Sequence, residues 1–218
     1  MEKSIETIWK EGFLKSDALV APKLNDLYNQ KSKHLVDKYK RMFKINLIAI
    51  VAGSLLFLVA SFVIGIPVTG IGFFLILSVV VIVNRKLLPG LEKIDKNVNS
   101  YQYIKAFYSW MKENFSINSK MARYYYPLFF LSVVLGFWFS NQNGTPLGET
   151  LVNKVILNYP DLYLVFGIPL IGILGLILIL FILAFFGGRI YNWDLNLVYG
   201  NVLKKLDEII ADMEDLRS

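Results

Sequence analysis

The chain has 218 residues, of which 55% are hydrophobic and 18% charged, with a mean hydropathy of +0.49 and a net charge of +6. It contains no cysteine, so disulfides, thiolate nucleophiles and cysteine-bound metals are excluded. A single histidine, His34, argues against a histidine-based metal centre. The apolar residues stand in blocks rather than being scattered, which is typical of a membrane protein.

Three stretches of the chain carry no charged residue: 45–84, 124–148 and 162–188. A helix needs about 20 apolar residues to cross a hydrocarbon core about 30 Å thick. The first stretch is twice that length and is interrupted at Gly65-Ile66-Pro67, so it predicts two spans joined by a tight turn. We therefore expect an all-α, polytopic integral membrane protein with four transmembrane helices, near residues 45–65, 68–84, 124–140 and 163–186.

The basic residues are unevenly placed along the chain. Of the 23 Lys and Arg residues, 10 lie in residues 1–44, 8 in 85–123 and 4 in 189–218, while the segment between spans three and four has only Lys154. By the positive-inside rule, the N-terminus, the central connection and the C-terminus are predicted to be cytoplasmic. The expected location is a cell membrane, most simply a bacterial inner membrane, with both termini inside.

Five segments follow from the spans and the charge pattern. They are a cytoplasmic N-terminal helical region (1–44), a transmembrane hairpin (45–84), a cytoplasmic helical connection (85–123), spans three and four with a short outer loop at 141–161 (124–187), and a cytoplasmic C-terminal amphipathic helix (188–218). In the outer loop, apolar residues from Leu147 to Tyr159 predict a short helix along the membrane interface. Pro89-Gly90 predicts an early break or kink in the central connection.

Each cytoplasmic segment carries apolar residues at helical spacing, which predicts one apolar face per helix. The three sets are Leu24, Leu27, Tyr28, Leu35, Val36, Tyr39, Met42 and Phe43; Leu87, Leu91, Ile94, Val98, Tyr101 and Tyr108; and Tyr199, Val202, Leu206, Ile209, Met213 and Leu216. We expect these stripes to pack on one another as a bundle or short coiled coil. Two alternatives stay open: one stripe binds another protein, or a stripe lies on anionic headgroups.

The first 21 residues form a separate candidate site. Its predicted partner-binding residues are Ile5, Ile8, Trp9, Phe13 and Leu14, which share a short apolar face with two aromatic anchors. Gly12 and the stretch from Ala18 to Pro22 are predicted to separate this arm from the next helix. The alternatives are that the arm docks on its own bundle or lies on the headgroups.

The spans contain no Asp, Glu, Lys, Arg or His, which argues against ion-coupled transport. Small residues within them predict helix–helix packing faces: Ala49, Ala52, Gly53, Ser54, Ala60 and Ser61 in span one, and Gly167, Gly172 and Gly175 in span four. Pro127 is placed near the first turn of span three. Pro169 either kinks span four or sits near its first turn.

No motif for catalysis is present: H-E-x-x-H, the Gly-rich phosphate loop and G-x-S-x-G are all missing. We therefore expect no enzyme, no catalytic residue, no cofactor and no metal, and the bilayer rather than nucleic acid as the partner of the basic residues. The leading hypothesis is a non-enzymatic membrane anchor or regulator that binds a cytoplasmic protein, for example by sequestering it as anti-sigma factors do. The alternative is a transport or lipid-handling component, with self-association open, in which polar residues converge on one cavity: Asn46, Ser54, Ser61, Ser78 and Ser132.

Overall fold

The structure, a computed structural model, describes the backbone of residues 5–95, 98, 100–142 and 144–215, and the side chains of 30, 33–95, 98, 100–141 and 144–214. Within these ranges the protein is all-helical. Its five helices are α1 (Ile5–Ile64), α2 (Pro67–Glu92), α3 (Ser100–Trp138), α4 (Leu147–Asn158) and α5 (Leu170–Asp215). Two short antiparallel ribbons lie in the connections: β1 (Asn141–Gln142) with β2 (Thr145–Pro146), and β3 (Leu164–Val165) with β4 (Ile168–Pro169).

Three of the described helices are long and apolar enough to cross a membrane: α1 over Lys33–Ile64, α2, and α5 over Leu170–Glu214. The predicted break between the first two is confirmed. Gly65 adopts a positive φ of 86°, a conformation that glycine reaches without steric cost, and Pro67 opens α2 in its first turn. The helices α1, α2, α3 and α5 then pack in that order, each against the next.

Buried residues of the apolar stripes on α1 and α5 share one cluster with the end of α2 and with a face of α3 other than the predicted one. We call the shared buried set the core cluster: Leu35, Val36, Tyr39, Phe43, Leu91, Tyr103, Ile104, Phe107, Met111, Leu195, Tyr199, Val202, Leu206 and Met213. It joins residues 35–43 of α1, 103–111 of α3 and 195–213 of α5 with Leu91 near the end of α2. Aromatic rings fill its centre, where Tyr39 meets Phe107 edge-on at 5.3 Å and lies 5.4 Å from Tyr199.

The predicted break at Pro89-Gly90 is wrong, because α2 continues through both residues to Glu92. The chain leaves the helix after Glu92 and is helical again at Ser100. The last turn of α2 is held by Trp110, whose indole N–H donates to the carbonyl of Leu87 at 3.1 Å. A Cβ on Gly90 would lie 3.0 Å from that indole nitrogen, so glycine there lets the tryptophan approach.

The buried face of α3 also differs from the predicted one. The sequence pattern placed Tyr101 and Tyr108 inward, and both lie only at the edge of the core cluster. The fully buried face instead carries Tyr103, Ile104, Phe107, Met111, Asn114, Asn118 and Ala122. The turn before Ser100 resets the helical phase, so a spacing extended from α2 selects the wrong face of α3.

Pro127 and the glycines of the predicted later spans are placed differently from the prediction. Pro127 lies in the interior of α3 rather than in a first turn, since α3 is one helix from Ser100 to Trp138. Pro169 lies in β4 directly before α5, which begins at Leu170, so of its two predicted positions it takes the one near the first turn. Gly167 is in the preceding turn with φ 77°, and Gly172 has open space where a Cβ would stand.

The close helix contact on α5 is made at Gly187 and Gly188 instead. A Cβ on Gly187 would come within 2.7 Å of the Ala122 carbonyl oxygen, and Ser119 donates a hydrogen bond to the Gly188 carbonyl at 3.3 Å. In α1 the small residues divide between two faces. Ser54 and Ser61 are buried against the hairpin, whereas Ala49, Ala52 and Gly53 are exposed.

The short helix predicted in the outer loop is confirmed as α4. Its Gly148 lies against the ring of Trp138, which fixes α4 across the end of α3. The connection into it is a tight ribbon in which Asn141 pairs with Pro146, and Gly144 turns the chain with a φ of 88°. This end of the molecule therefore consists of one short helix and two turns.

Candidate functional site

The predicted partner-binding arm lies in the first part of α1. The side chains of Ile5, Ile8, Trp9, Phe13 and Leu14 are outside the described residues, so this prediction is not tested. The predicted separation of the arm at Gly12 and at Ala18 to Pro22 is wrong for the backbone, because α1 is one helix from Ile5 to Ile64. Pro22 lacks a backbone N–H and so removes one hydrogen bond of the helix, but α1 continues on both sides of it.

A cavity of about 370 Å³ lies between α1, α2, α3 and α5, where the charge-free stretches meet the core cluster. Its polar lining residues are Tyr39, Asn46, Asn84, Asn114, Asn118, Tyr125, Tyr126, Tyr191, Asp194 and Tyr199. Its apolar lining residues are Phe43, Leu47, Ile50, Leu77, Val80, Phe115, Phe129, Leu195 and Val198. We call this space the central cavity.

Three asparagines form the polar wall of the central cavity. Asn84 of α2 and Asn118 of α3 exchange two amide hydrogen bonds, of 2.8 and 3.0 Å. Asn118 also donates to the backbone and side-chain oxygens of Asn114, one turn earlier in α3, at 2.9 and 3.2 Å. Because all three side chains are buried, these bonds lock the facing sides of α2 and α3 at one relative position.

Two buried polar atoms of the cavity wall have no hydrogen-bond partner in the described protein: the hydroxyl of Tyr39 and the side-chain nitrogen of Asn114. Tyr39 is 0% exposed and Asn114 2%. An unpaired buried polar group costs about 1–3 kcal/mol, and native proteins keep few of them. Both groups lie sealed within the packed wall of the central cavity.

The mouth of the central cavity lies between α1 and α5. Asn46 of α1 and Asp194 and Val198 of α5 line the cavity and are also exposed. The carboxylate of Asp194 accepts a hydrogen bond of 2.8 Å from the hydroxyl of Tyr126. The mouth is thus polar, and its carboxylate is already hydrogen-bonded within the protein.

The polar residues predicted to converge on one cavity do not do so as a set. Only Asn46 lines the central cavity. Each serine donates to a carbonyl of its own helix: Ser54 to Val51, Ser61 to Leu58, Ser78 to Phe74 and Ser132 to Leu128. Ser61 and Ser132 are also pressed against glycines of α2, so their hydroxyls contribute to helix packing.

The asparagine wall was missed in the sequence, although a signal for it exists. The residues Phe107, Met111, Asn114, Asn118 and Ala122 follow one another at steps of three or four, so two amides continue an apolar helical face. A buried amide needs hydrogen-bond partners from a neighbouring helix. That requirement predicts a polar contact, but only the fold identifies Asn84 as the partner.

A charged contact joins the end of α2 to α1. Lys44 and Lys40 of α1 lie 3.4 and 3.5 Å from the carboxylate of Glu92. The hydrogen bond from Lys44, together with the positive charge of Lys40, holds the pKa of the Glu92 carboxyl below its ordinary value. This ion pair is solvent-exposed, so it contributes little stability and serves mainly to fix the end of α2 against α1.

A second groove lies between α3 and α5. Its volume is about 390 Å³, and its lining includes Arg123, Arg189, Phe181 and Phe185. The Arg189 guanidinium lies 5.3 Å from the ring centre of Phe186. Paired arginines at the end of charge-free stretches are typical of residues that reach toward lipid headgroups.

The Asn84–Asn118 pair gives a direct test of the asparagine wall. We expect Asn84→Leu and Asn118→Leu each to destabilise the protein by about 1–3 kcal/mol, because each leaves a buried amide without its partner. The double variant should lose less than the sum, with a coupling energy of about 1 kcal/mol or more. Unfolding of the purified protein in detergent measures all three. Strictly additive losses would contradict the pair.

Among the residues that the structure describes, no three His, Cys, Asp or Glu side chains are grouped so that they could hold a metal ion. Comparison of the chain with known protein families, with curated proteins and with solved structures finds no match.

Proposed function

We propose that this protein is a non-enzymatic membrane anchor or regulator whose cytoplasmic helical layer binds a soluble protein. The observation that carries the proposal is the continuity of the helices. Each of α1, α3 and α5 runs without a break from a charge-free stretch into the core cluster. A displacement of a helix in one region is therefore passed to the other, which suits a protein that links a membrane state to a cytoplasmic partner.

The proposal includes four membrane spans, with the apolar part of α3 as the third. Support comes from the packing of α3 along α2. The two helices touch at Asn84 and Asn118 near one end and at Thr69 and Ser132 near the other, where the Thr69 hydroxyl donates to the Ser132 carbonyl at 3.2 Å. The 15 residue steps between Thr69 and Asn84 on α2 correspond to about 22 Å of helix. If α2 crosses the membrane, α3 crosses beside it.

Cysteine labelling tests this topology, since the native chain has no cysteine. Single cysteines at Asn153 in α4 and at Lys120 in α3 occupy exposed positions. In intact cells, a membrane-impermeant maleimide is expected to label Asn153→Cys and to label Lys120→Cys only after permeabilisation. Labelling of both variants from the same side would contradict the four-span arrangement with inside termini.

Partner binding is tested at the N-terminal arm by photo-crosslinking in cells. With the probe at Trp9 or Phe13, we expect one abundant soluble protein in the crosslinked band, because aromatic anchors dominate binding energy at such faces. A probe at Glu11, on the opposite side of the helix, should give no such band.

The matched variants separate binding from folding. Trp9→Ala with Phe13→Ala should reduce capture of that protein at least tenfold, while Thr7→Ala with Glu11→Ala should leave it unchanged. Both variants should insert into the membrane as the native chain does. Crosslinks only within the chain, or undiminished capture by the first variant, would remove the arm from the proposal.

The alternative function is a transport or lipid-handling component. The serines bind within their own helices, so they offer no polar path through the spans. The central cavity favours the lipid-handling form of this alternative, because its lining combines polar and apolar residues beside the charge-free stretches.

A further inference from the structure

We propose that the second groove, between α3 and α5, binds the phosphate of an anionic phospholipid whose acyl chains lie along the apolar part of α5. The inference rests on the four-span arrangement proposed above, which places the apolar parts of α3 and α5 in the membrane. Three observations carry it: two arginines from separate helices line one groove, the groove has a net positive charge, and exposed aromatic rings continue it along α5.

The two arginines lie at the same boundary of the charge-free stretches. Arg123 of α3 directly precedes the stretch 124–148, and Arg189 of α5 directly follows the stretch 162–188. The close contact of the helices brings them into one groove, since a Cβ on Gly188 would lie only 3.5 Å from the Nε of Arg123. If these stretches cross the membrane, both guanidiniums lie at the depth of the headgroups. Arginine binds phosphate oxygens there through paired N–H donors.

The charge of the groove selects an anion. As far as the structure describes the chain, the lining contains both arginines and no acidic residue. Within the same described residues, neither Arg123 nor Arg189 lies within ion-pair distance of a carboxylate. An anionic ligand would supply the counter-charge. The cation of a choline or ethanolamine headgroup would meet two positive charges in the groove, so zwitterionic lipids are disfavoured.

Neutral polar side chains complete the charged end of the groove. The amide of Asn192 lies one turn beyond Gly188 on α5 and offers two N–H donors to phosphate oxygens. The hydroxyl of Ser119, one turn before Arg123, donates to the Gly188 carbonyl at 3.3 Å. Ser119 therefore holds the two helices together, while the arginines and Asn192 provide the donors for the ligand.

Two exposed rings favour a lipid over a free phosphate. Phe181 and Phe185 line the groove within the charge-free stretch of α5 and are 68% and 61% exposed. Gly188 and Asn192 follow them at steps of three and four, so all four residues share one face of the helix. The Arg189 guanidinium lies 6.0 Å from the ring centre of Phe185, and Phe181 is about 12 Å away along the helix. Acyl chains of a lipid held at the arginines would cover these rings, which a free phosphate cannot do.

The test uses the purified full-length chain in dodecyl maltoside with a phosphatidylglycerol that carries a photoreactive diazirine on its acyl chain. We expect saturable labelling of the peptide that contains Phe181 and Phe185. Unlabelled dioleoyl phosphatidylglycerol should compete at a concentration at least tenfold lower than dioleoyl phosphatidylcholine. Equal competition by phosphatidylcholine would overturn the anionic class. Competition by inorganic phosphate or glycerol 3-phosphate at the concentrations effective for phosphatidylglycerol would show a free-phosphate site and overturn the lipid.

Arginine variants locate the site. Arg123→Gln and Arg189→Gln should each raise the phosphatidylglycerol concentration needed for half-maximal labelling about tenfold, because each removes charged donors to the phosphate. Arg85→Gln is the matched control: Arg85 is exposed and directly follows the charge-free stretch 45–84, but it does not line the groove. We expect a change within twofold there. An equal loss in Arg85→Gln would mean general attraction to a basic surface and would overturn the groove as the site.

A second pair of variants leaves both arginines in place. Asn192→Asp keeps the shape of an exposed side chain and adds a carboxylate to the groove, so it should weaken labelling at least tenfold by pairing with the arginines. Asn201→Asp adds the same charge on the opposite face of α5, about 14 Å further along, and should leave labelling unchanged. Unchanged labelling in Asn192→Asp would overturn the proposal. Cysteine labelling at Asn153 and Lys120 uses no lipid probe, so failure of the four-span topology is a separate result.

Discussion

Phe107→Ala is expected to destabilise the protein by about 3–5 kcal/mol, the range for removing a fully buried phenylalanine from a packed core. Phe107 is 0% exposed and lies at the centre of the core cluster. Its ring meets Tyr39 edge-on at 5.3 Å and stacks near Trp110 at 6.2 Å. Alanine leaves a cavity between three helices that cannot close, because each continues as a rigid rod into a charge-free stretch.

Denaturant unfolding of the purified protein in detergent, followed by circular dichroism, measures this loss. The control is Leu197→Ala on α5, an apolar side chain that is 69% exposed, for which a change within about 0.5 kcal/mol is expected. A loss of less than about 1 kcal/mol in Phe107→Ala would mean that the core cluster is not organised around this ring.

Gly187→Val should push α3 and α5 apart and cost about 3 kcal/mol or more, at the top of the range for overpacking. A Cβ at this position would lie 2.7 Å from the carbonyl oxygen of Ala122 and 2.9 Å from the Cα of Arg123. Both are backbone atoms, so no rotation of a side chain relieves the contact. The hydrogen bond from Ser119 to Gly188 is expected to break as the helices separate.

Gly172→Val is the matched control in the same helix, since nothing lies within 4 Å of a Cβ built there. We expect it to be neutral or slightly stabilising, because glycine is a poorer helix former than other residues. Resistance of the two variants to unfolding in dodecyl sulfate measures the difference. Equal stability would show that α3 and α5 do not meet at Gly187.

The contrast between these glycines shows where local sequence is insufficient. Gly172 and Gly187 lie in the same charge-free stretch, and the sequence favoured Gly167, Gly172 and Gly175 as packing positions. Which glycine makes the close contact depends on which face of α5 meets α3. That face is set by the core-cluster residues of α5, which follow the charge-free stretch 162–188. A small residue permits a close contact but does not specify one.

The buried faces of the helices were predictable where a single unbroken helix carried the pattern. Tyr39 and Phe43 on α1, and Tyr199, Val202 and Leu206 on α5, are buried as predicted. The prediction was wrong for α3, because it extended a spacing from α2 across a turn. A change of helical phase at a turn rotates every later side chain, so Tyr101 and Tyr108 lie at the edge of the core while Tyr103 and Phe107 fill it.

The sequence by itself determined the helical class of this protein and the positions of its long apolar segments. Runs of uncharged residues mark these segments, and one Gly-Ile-Pro break separates the first two, since these are properties of consecutive residues. Only the tertiary structure decided the central cavity. It joins Asn84, Asn114 and Asn118 with Tyr39 and Asp194 from helices far apart in the chain. Whether a buried polar group finds a partner depends on the neighbouring helix, and no local pattern contains that information.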